Sequence, residues 1–417
     1  QQMRASPFGV GGYLWVFQDE AILREDGSLD TDGSNSADGL VGPYYEKEPS
    51  YDAVREIWSH VVVETAPVLD FNFDGKVDLL NDYYFTSLDA CGFRWELVRF
   101  ADAADTSTDP AILASGELPG PEVGPQQTGT LQIPLPTDWH AADALRLIAN
   151  GPDGTMIRAW TWPIQAKAEL VARQYPPDAA GNAILVDAGD AWQLEASGRR
   201  VEISKPSGLI RSASVYGTPV PLSNGPRLVA GTATLTSIAT RMEGPVAVVD
   251  AAFTGNLGQL TYRMEANGML EIQYAFAISG GSYANIGLTF DFPEEAITRF
   301  RWMGDGPQPV WKNRTDGVEF GVWEKEANEA LPGEVWTTDP VFRGFHANFH
   351  WGSLSTESTL LTVLTDTPGL FFRLGTPQLG SGLERWWNAR FEMPPGNLSL
   401  LTGIAPHGNK FHSASFN

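Results

Sequence analysis

The 417-residue sequence is short of cysteine, of positive charge and of long apolar runs. A single cysteine, Cys91, excludes an internal disulfide and gives no sign of a thiolate metal site. Lys and Arg number 28 against 51 Asp and Glu, and the net charge of -23 would repel a polyphosphate. Stretches of about 18 apolar residues are absent, so a transmembrane helix is not expected. These absences predict a soluble protein with neither nucleic acid nor a membrane as its partner.

Glycine, proline and short apolar runs are plentiful. The sequence has 43 Gly and 29 Pro between short runs of Val, Thr, Tyr, Phe and Trp, which is typical of strands joined by turns. A hydrophobic content of 42% is enough to bury a large core. One helical pattern stands out, in which Val54, Ile57, Trp58 and Val61 share a face and Ser50 is the expected N-cap. The chain is therefore predicted to be mainly β.

Changes of pattern along the chain divide it into four parts. Residues 1–62 form a strand, a polar loop and a helix, and residues 63–163 contain strand patterns only, at the spacing of an immunoglobulin-like β-sandwich. Residues 164–187 include the Pro, Ala and Gly-rich stretch QYPPDAAGNA, which is typical of a linker. Residues 188–417 again contain strand patterns, and they predict a large terminal β-sandwich.

A calcium-loop pattern occurs in residues 70–78, DFNFDGKVD, where Asp70, Asn72, Asp74 and Asp78 offer oxygen ligands and Gly75 suits the sharp turn. The twelfth position, which should supply a bidentate Glu, is Asn81. Both flanks have strand patterns, and Asp74 followed by Gly75 is a strong signal for a tight hairpin turn. We therefore predict a hairpin over residues 70–81 without bound calcium.

Two adjacent carboxylates, Asp19 and Glu20, raise the question of a glycosidase acid pair. Neighbouring residues of a strand point to opposite faces, so these two cannot converge on one sugar. We expect one of them to face the site or an ion pair and the other to face solvent.

Tryptophan is abundant, with 14 in the chain and several in the last part. Indole rings stack on the C–H faces of sugars, so this abundance fits a carbohydrate-binding protein, although for any single Trp a place in a sandwich core is the simpler interpretation. Trp386 and Trp387 are adjacent and would point to opposite faces of a strand. At least one of them is expected to leave the core.

Three segments resemble one enzyme family in the same order. GGYLWVFQDEAILREDG followed by DGLVGPYYEKEPSYDAVREIW is similar to the eighth strand, eighth loop and last helix of the catalytic barrel in glycoside hydrolase family 2, which includes the large bacterial β-galactosidases. The stretch from VDLLNDYYF to LQIPL resembles the sandwich that follows that barrel. RVEISKPSGLIRSASVYG and FRWMGDGPQPVWKNRTDGVEFGVWE resemble the large terminal β domain.

The resemblance implies that the chain is the end of a (β/α)8 barrel followed by an immunoglobulin-like sandwich and a terminal sandwich. It places both catalytic glutamates upstream of Gln1, so no catalytic residue is expected in this chain and a polypeptide or segment with the first seven barrel strands is an expected partner. It also implies a carbohydrate substrate, a bacterial cytoplasmic or periplasmic location and, as an open alternative, a homo-oligomer. This chain by itself should require no cofactor, whereas the complete enzyme could hold a sodium or magnesium ion.

The resemblance also carries over to individual residues. Trp15 corresponds to the Trp that walls the sugar subsite at the end of strand eight, and Asp19 corresponds to the acidic residue four positions on. The family commonly has Asp where this chain has Val16, and the bond from Trp15 to Val16 is expected to be cis. Asp38 lies where an Asn helps to bind sodium in the family, and Trp386 or Trp387 lies near an aromatic that returns to the active site.

Two functions follow from these observations. The first is the C-terminal portion of a retaining exo-β-glycosidase, a β-galactosidase that removes terminal β-galactosides from oligo- or polysaccharides. The second is a non-catalytic carbohydrate-binding or scaffold protein built from β-sandwich modules. A single strand, loop and helix argues against the second, because its apolar faces need the other barrel strands.

Overall fold

The computed structural model describes residues 12–30, 39–326, 344–374, 378–379, 391–392, 397–404 and 406. Strands arranged in several sheets dominate these residues, so the prediction of a mainly β chain is confirmed. Two α-helices occur in the described residues, α1 (Pro49–Ile57) and α2 (Lys167–Ala172).

The strands up to residue 187 are short to medium in length. They are β1 (Ile22–Leu23), β2 (Leu29–Asp30), β3 (Val61–Val63), β4 (Lys76–Asn81), β5 (Gly92–Arg99), β6 (Ala111–Pro119), β7 (Thr128–Gln132), β8 (Ala144–Asn150), β9 (Met156–Pro163) and β10 (Ile184–Asp187). Single 3-10 turns lie at Leu88–Ala90, Trp139–Ala141 and Glu294–Ala296.

The later strands build the terminal domain. They are β11 (Ala191–Ala196), β12 (Arg199–Ser204), β13 (Ile210–Val215), β14 (Thr218–Val220), β15 (Ser223–Leu228), β16 (Ala233–Glu243), β17 (Val246–Gly255), β18 (Leu257–Met264), β19 (Leu270–Phe276), β20 (Ile286–Asp291), β21 (Arg299–Gly306), β22 (Glu319–Glu326), β23 (Gly344–His346), β24 (Trp351–Ser355), β25 (Leu360–Leu364), β26 (Phe371–Leu374), β27 (Gln378–Leu379), β28 (Phe391–Glu392) and β29 (Asn397–Gly403).

Strands β3 to β9 form a two-layer sandwich. A three-stranded sheet in the order β3-β4-β7 packs on a four-stranded sheet in the order β6-β5-β8-β9. Alternate residues of each strand point inward, as the pleat requires. The buried core includes Val77 and Leu79 from the first sheet and Phe93, Trp95, Leu97, Leu145 and Leu147 from the second.

The predicted hairpin over residues 70–81 is wrong in its first half. Strand β4 is present, but it pairs with β3 across a twelve-residue connection, and residues 68–73 form no strand. The Asp70 Oδ1 accepts the amide of Asn72 at 2.8 Å and the Asp74 Oδ1 accepts that of Lys76 at 3.1 Å. These local side-chain turns compete with strand pairing.

The predicted helix also ends earlier than its apolar pattern does. Helix α1 stops at Ile57, and Val61 is a fully buried residue of strand β3. The N-cap is Glu48, whereas the expected cap, Ser50, lies inside the helix and donates its hydroxyl to the Gly39 carbonyl at 3.2 Å. A proline at the first helical position starts this helix without the expected serine cap.

The segment between the sandwiches contains helix α2, which its linker-like composition did not predict. Leu170 and Val171 of this helix are buried. Arg173, the next residue after the helix, donates to Asp143 at 2.8 Å and to Asp102 at 2.8 Å. The linker is thus fixed to the first sandwich at its beginning.

The terminal domain contains three main sheets. One sheet has ten strands and runs along the path β10-β11-β12-β13-β15-β20-β29-β26-β23, with β14 paired to β13, and two four-stranded sheets have the orders β16-β17-β18-β19 and β22-β21-β24-β25. One large apolar core joins all three sheets, and its fully buried members include Tyr262, Phe300, Trp302, Phe349 and Phe372.

A smaller core is shared by the two sandwiches. Val98, Phe100 and Ala144 of the first sandwich and Leu170 of helix α2 pack with residues of the terminal domain, namely Met303, Phe320, Val322 and Trp351. Beside this core, the buried Arg301 guanidinium donates to the carbonyls of Asp105 and Ser107. The first sandwich therefore contacts the terminal domain through both apolar and polar groups.

His350 makes the stability of the terminal domain depend on pH. Its Nδ1 donates to the Asn348 carbonyl at 2.7 Å, and burial lowers its pKa to about 4. The unfolded chain, with a histidine pKa near 6.5, binds more protons in this range than the folded chain does. We expect the free energy of unfolding to fall by about 2 to 3 kcal/mol as the pH drops from 6.5 to 4.

The measurement is the urea midpoint between pH 7 and pH 4 for the parent chain and for His350→Gln. The variant should show a shallower pH dependence, because glutamine keeps a donor but does not titrate. His60→Gln, at an exposed histidine, is the matched control. An unchanged slope in His350→Gln would disprove this assignment.

Candidate functional site

The segment that resembles the eighth barrel strand is exposed in this chain. Residues 12–17 pair with no strand in the described residues, and Tyr13, Trp15 and Phe17 are 104%, 80% and 54% exposed. The Trp15–Val16 peptide is cis, which confirms that prediction. Isolated apolar side chains are common on surfaces, but a continuous run of large ones marks a contact surface.

Asp19 lies at the base of this segment and is buried, with 6% of its surface exposed. Its Oδ1 accepts the amide of Gly39 at 2.7 Å, and its own amide donates to the Val41 carbonyl at 2.9 Å. A Cβ on Gly39 would lie 2.6 Å from the Asp19 nitrogen, so glycine is needed for this approach. Glu20 is exposed, which confirms that the two adjacent carboxylates face different environments.

Backbone hydrogen bonds connect residues 40 and 41 to Phe17, which lies two residues after Trp15. The amides of Leu40 and Val41 both donate to the Phe17 carbonyl, at 2.9 and 3.1 Å. The Glu48 amide then donates to the Leu40 carbonyl at 3.3 Å, directly before helix α1. Residues 12–19, residues 39–42 and helix α1 are therefore linked by hydrogen bonds, and we call residues 12–30 and 39–58 the Trp15 segment.

Helix α1 reaches both sandwiches at one point. The Glu56 carboxylate accepts a hydrogen bond from Arg158 of strand β9, and its Oε2 accepts the Gly317 amide of the terminal domain at 2.6 Å. A cleft of about 210 Å³ lies at this junction, and its lining includes Asp52, Arg55, Glu56, Arg158, Glu319 and Trp323.

Charges around the cleft are paired across the domains. Glu319 of the terminal domain accepts hydrogen bonds from Arg146, at 3.2 Å, and from Thr161, both of the first sandwich. Asp52 pairs with Arg55 at 3.2 Å within helix α1, and burial raises the pKa of the Asp52 carboxyl. The junction is thus a polar contact between a helix and two sandwiches.

Three predicted site residues lie outside the described residues, namely Asp38, Trp386 and Trp387. Their assignments to a cation and to the sugar stay predictions. Among the residues that the structure describes, no group of three or more His, Cys, Asp or Glu side chains could hold a metal ion. In that same part of the chain, no helix is long and apolar enough to cross a membrane.

Sequence reasoning missed the junction at Glu56, Arg158 and Gly317. Glu56 and Arg158 are 102 positions apart and Gly317 lies still further along the chain, so their spacing contains no signal. The only local signal is at Gly317, in the Asp-Gly pair of KNRTDGVEF, where φ is +88°. That pair indicates a turn but does not identify its partner.

Comparisons with known proteins identify two domains. Residues 77–150 match the model for domain 4 of β-galactosidase, and residues 201–371 match the model for the β-galactosidase small chain. No curated protein matches the chain. The two matches cover more than half of the sequence and occur in the order that the resemblance predicts. The chain therefore contains two domains of the β-galactosidase type, a domain 4 and a small-chain domain, in that order.

Proposed function

We propose that this chain is part of a retaining exo-β-glycosidase that removes terminal β-galactosides from oligo- or polysaccharides. The β-galactosidase domains support a glycosidase of this kind. The observation that carries the finer proposal is the exposed aromatic run at Tyr13, Trp15 and Phe17. Large apolar rings held at a fixed place on a polar framework need a covering partner or ligand.

In this proposal the remaining barrel strands cover part of that run and supply both catalytic glutamates. One glutamate protonates the leaving oxygen, and the other attacks the anomeric carbon to form a covalent intermediate that water then hydrolyses. The Trp15 indole provides the flat apolar wall on which the C–H face of the sugar stacks. Asp19, which accepts the Gly39 amide, orients a neighbouring group or a hydroxyl of the sugar.

The predicted residues outside the described part keep their proposed roles. Trp386 or Trp387 would return an aromatic side chain to the site, and Asp38 would help to hold a sodium or magnesium ion in the complete enzyme. A panel of chromogenic glycosides assayed on the complete enzyme, with the anomeric form of the first product followed by NMR, tests the sugar and the stereochemistry. Inversion at the anomeric carbon would disprove the retaining mechanism.

Replacing Trp15 by alanine should weaken the reaction in the complete enzyme. Loss of the stacked indole removes roughly 2 to 3 kcal/mol of binding, so kcat/KM for an aryl β-galactoside should fall about 30- to 150-fold. Trp15→Phe keeps a stacking face and should lose less. Tyr84→Ala removes an exposed aromatic of the first sandwich and serves as the matched control. Equal kinetics for Trp15→Ala and the parent would contradict the assignment.

A further inference from the structure

We propose that Glu56 is a positioning residue that fixes the Trp15 segment to both sandwiches at once. The effect of Glu56 on catalysis rests on the proposed function of Trp15. Its role in fixing the Trp15 segment to the sandwiches does not. The two carboxylate oxygens accept from two different domains, Oε1 from Arg158 and Oε2 from the Gly317 amide. One side chain thus joins three parts of the chain.

The ion pair between Glu56 and Arg158 is partly shielded from solvent, so it is expected to contribute to stability. The two side chains are 25% and 23% exposed. A hydrogen bond in which both partners are charged is about twice as strong as a neutral one, whereas a fully exposed pair contributes little. The pair is therefore expected to stabilise the contact between helix α1 and strand β9.

Helix α1 has limited apolar packing, so its attachment to the sandwiches depends on polar contacts. No residue of helix α1 is fully buried. On the terminal domain, Gly317 approaches the helix so closely that a Cβ there would lie 2.6 Å from the Ala53 nitrogen. This approach brings the Gly317 amide to the Glu56 carboxylate, and the positive φ of +88° at Gly317 is one that glycine adopts readily.

Hydrogen bonds connect the helix to Asp19 and Phe17, which follow Trp15 closely in the chain. The Ser50 hydroxyl donates to the Gly39 carbonyl at 3.2 Å, and the Gly39 amide donates to Asp19 at 2.7 Å. The backbone of residues 40–41 donates to the Phe17 carbonyl, two residues after Trp15. If helix α1 is released from the sandwiches, the hydrogen bonds that hold the backbone next to Trp15 should therefore open more often.

Hydrogen exchange of the 417-residue chain tests the structural part of the proposal. In Glu56→Gln, which loses the charge, the hydrogen-bonded amides of the Trp15 segment, such as those of Asp19, Gly39 and Leu40, should exchange at least about tenfold faster, while both sandwich cores exchange as in the parent. Glu20→Gln, at an exposed carboxylate of the same segment, is the control and should change nothing. Unchanged exchange in Glu56→Gln would overturn the proposal.

Two further variants approach the junction from the other domains. Arg158→Met removes the donor on β9, and Gly317→Ala introduces a clash with Ala53. Both variants should raise the exchange rates of the same amides as Glu56→Gln does. If one of the three variants fails to fold, the other two still test the proposal. Loosening confined to the mutated domain, with the Trp15 segment still protected, would overturn the proposal.

A double-mutant cycle in the complete enzyme tests the link to catalysis. Glu56→Gln alone should lower kcat/KM at least about tenfold, and it should have much less effect in a Trp15→Ala background, because both changes act on one group. Additive losses would show that Glu56 does not act through Trp15. Absence of galactosidase activity in the parent would instead disprove the proposed function, and the exchange result would still decide the structural part.

Discussion

The 417-residue chain by itself is expected to hydrolyse no aryl β-galactoside, and turnover should appear when the proposed barrel strands are supplied. The gain should be at least about a millionfold over the chain alone, because the retaining mechanism needs both carboxylates and glycosidases provide accelerations of this size or more. The assay compares the purified chain, the complementary polypeptide and their mixture or co-expressed product.

The control is the same complementary polypeptide with its two catalytic glutamates replaced by glutamine, which should bind the chain without restoring turnover. Turnover by the purified chain, with mass spectrometry excluding a second polypeptide, would show that the catalytic assignment is wrong. Binding of galactosides by the chain without any turnover in the mixture would favour the alternative of a non-catalytic carbohydrate-binding protein.

Asp143→Ala should destabilise the first sandwich by about 3 to 5 kcal/mol. Asp143 is 3% exposed, and its carboxylate accepts the Phe100 amide at 2.8 Å and two bonds from Arg173 at 2.8 and 2.9 Å. Alanine would leave a partly buried guanidinium and a buried amide without this acceptor, and uncompensated buried polar groups are costly. Urea unfolding followed by circular dichroism measures the change.

The matched control is Asp190→Ala. Asp190 also pairs with an arginine, Arg211, at 2.6 Å, but its side chain is 72% exposed. Solvent screening should make that loss much smaller than the loss in Asp143→Ala. Equal losses for the two variants would mean that burial does not decide the strength of the Asp143 pair.

Strand periodicity predicted much of the first sandwich correctly. The alternation in FRWELVRF and in ALRLIANG leads to strands β5 and β8, because one face of each strand is buried in a common core. The same alternation in VLDFNF was misleading. Asp70 within that stretch and Asp74 directly after it accept hydrogen bonds from nearby backbone amides, and these local turns compete with strand pairing.

The site was only partly predictable. The exposure of Trp15 and the different surroundings of Asp19 and Glu20 follow from the resemblance and from the period of a strand. The contacts of Glu56 depend on three segments brought together by the whole fold, and single charged residues in a sequence do not identify their partners. Helix α2 was hidden because its short apolar pattern lies next to a Pro-rich stretch.

The core shared by Phe100, Leu170 and Trp351 has a consequence for how this protein can be divided. A protease that cuts near QYPPDAAGNA would sever the connection between the sandwiches but not the apolar contact, so the two fragments should co-elute under native conditions. Cloning either sandwich alone would leave half of that core facing water and favour aggregation. The two sandwiches should therefore be expressed and handled as a single piece, even though a Pro-rich stretch connects them.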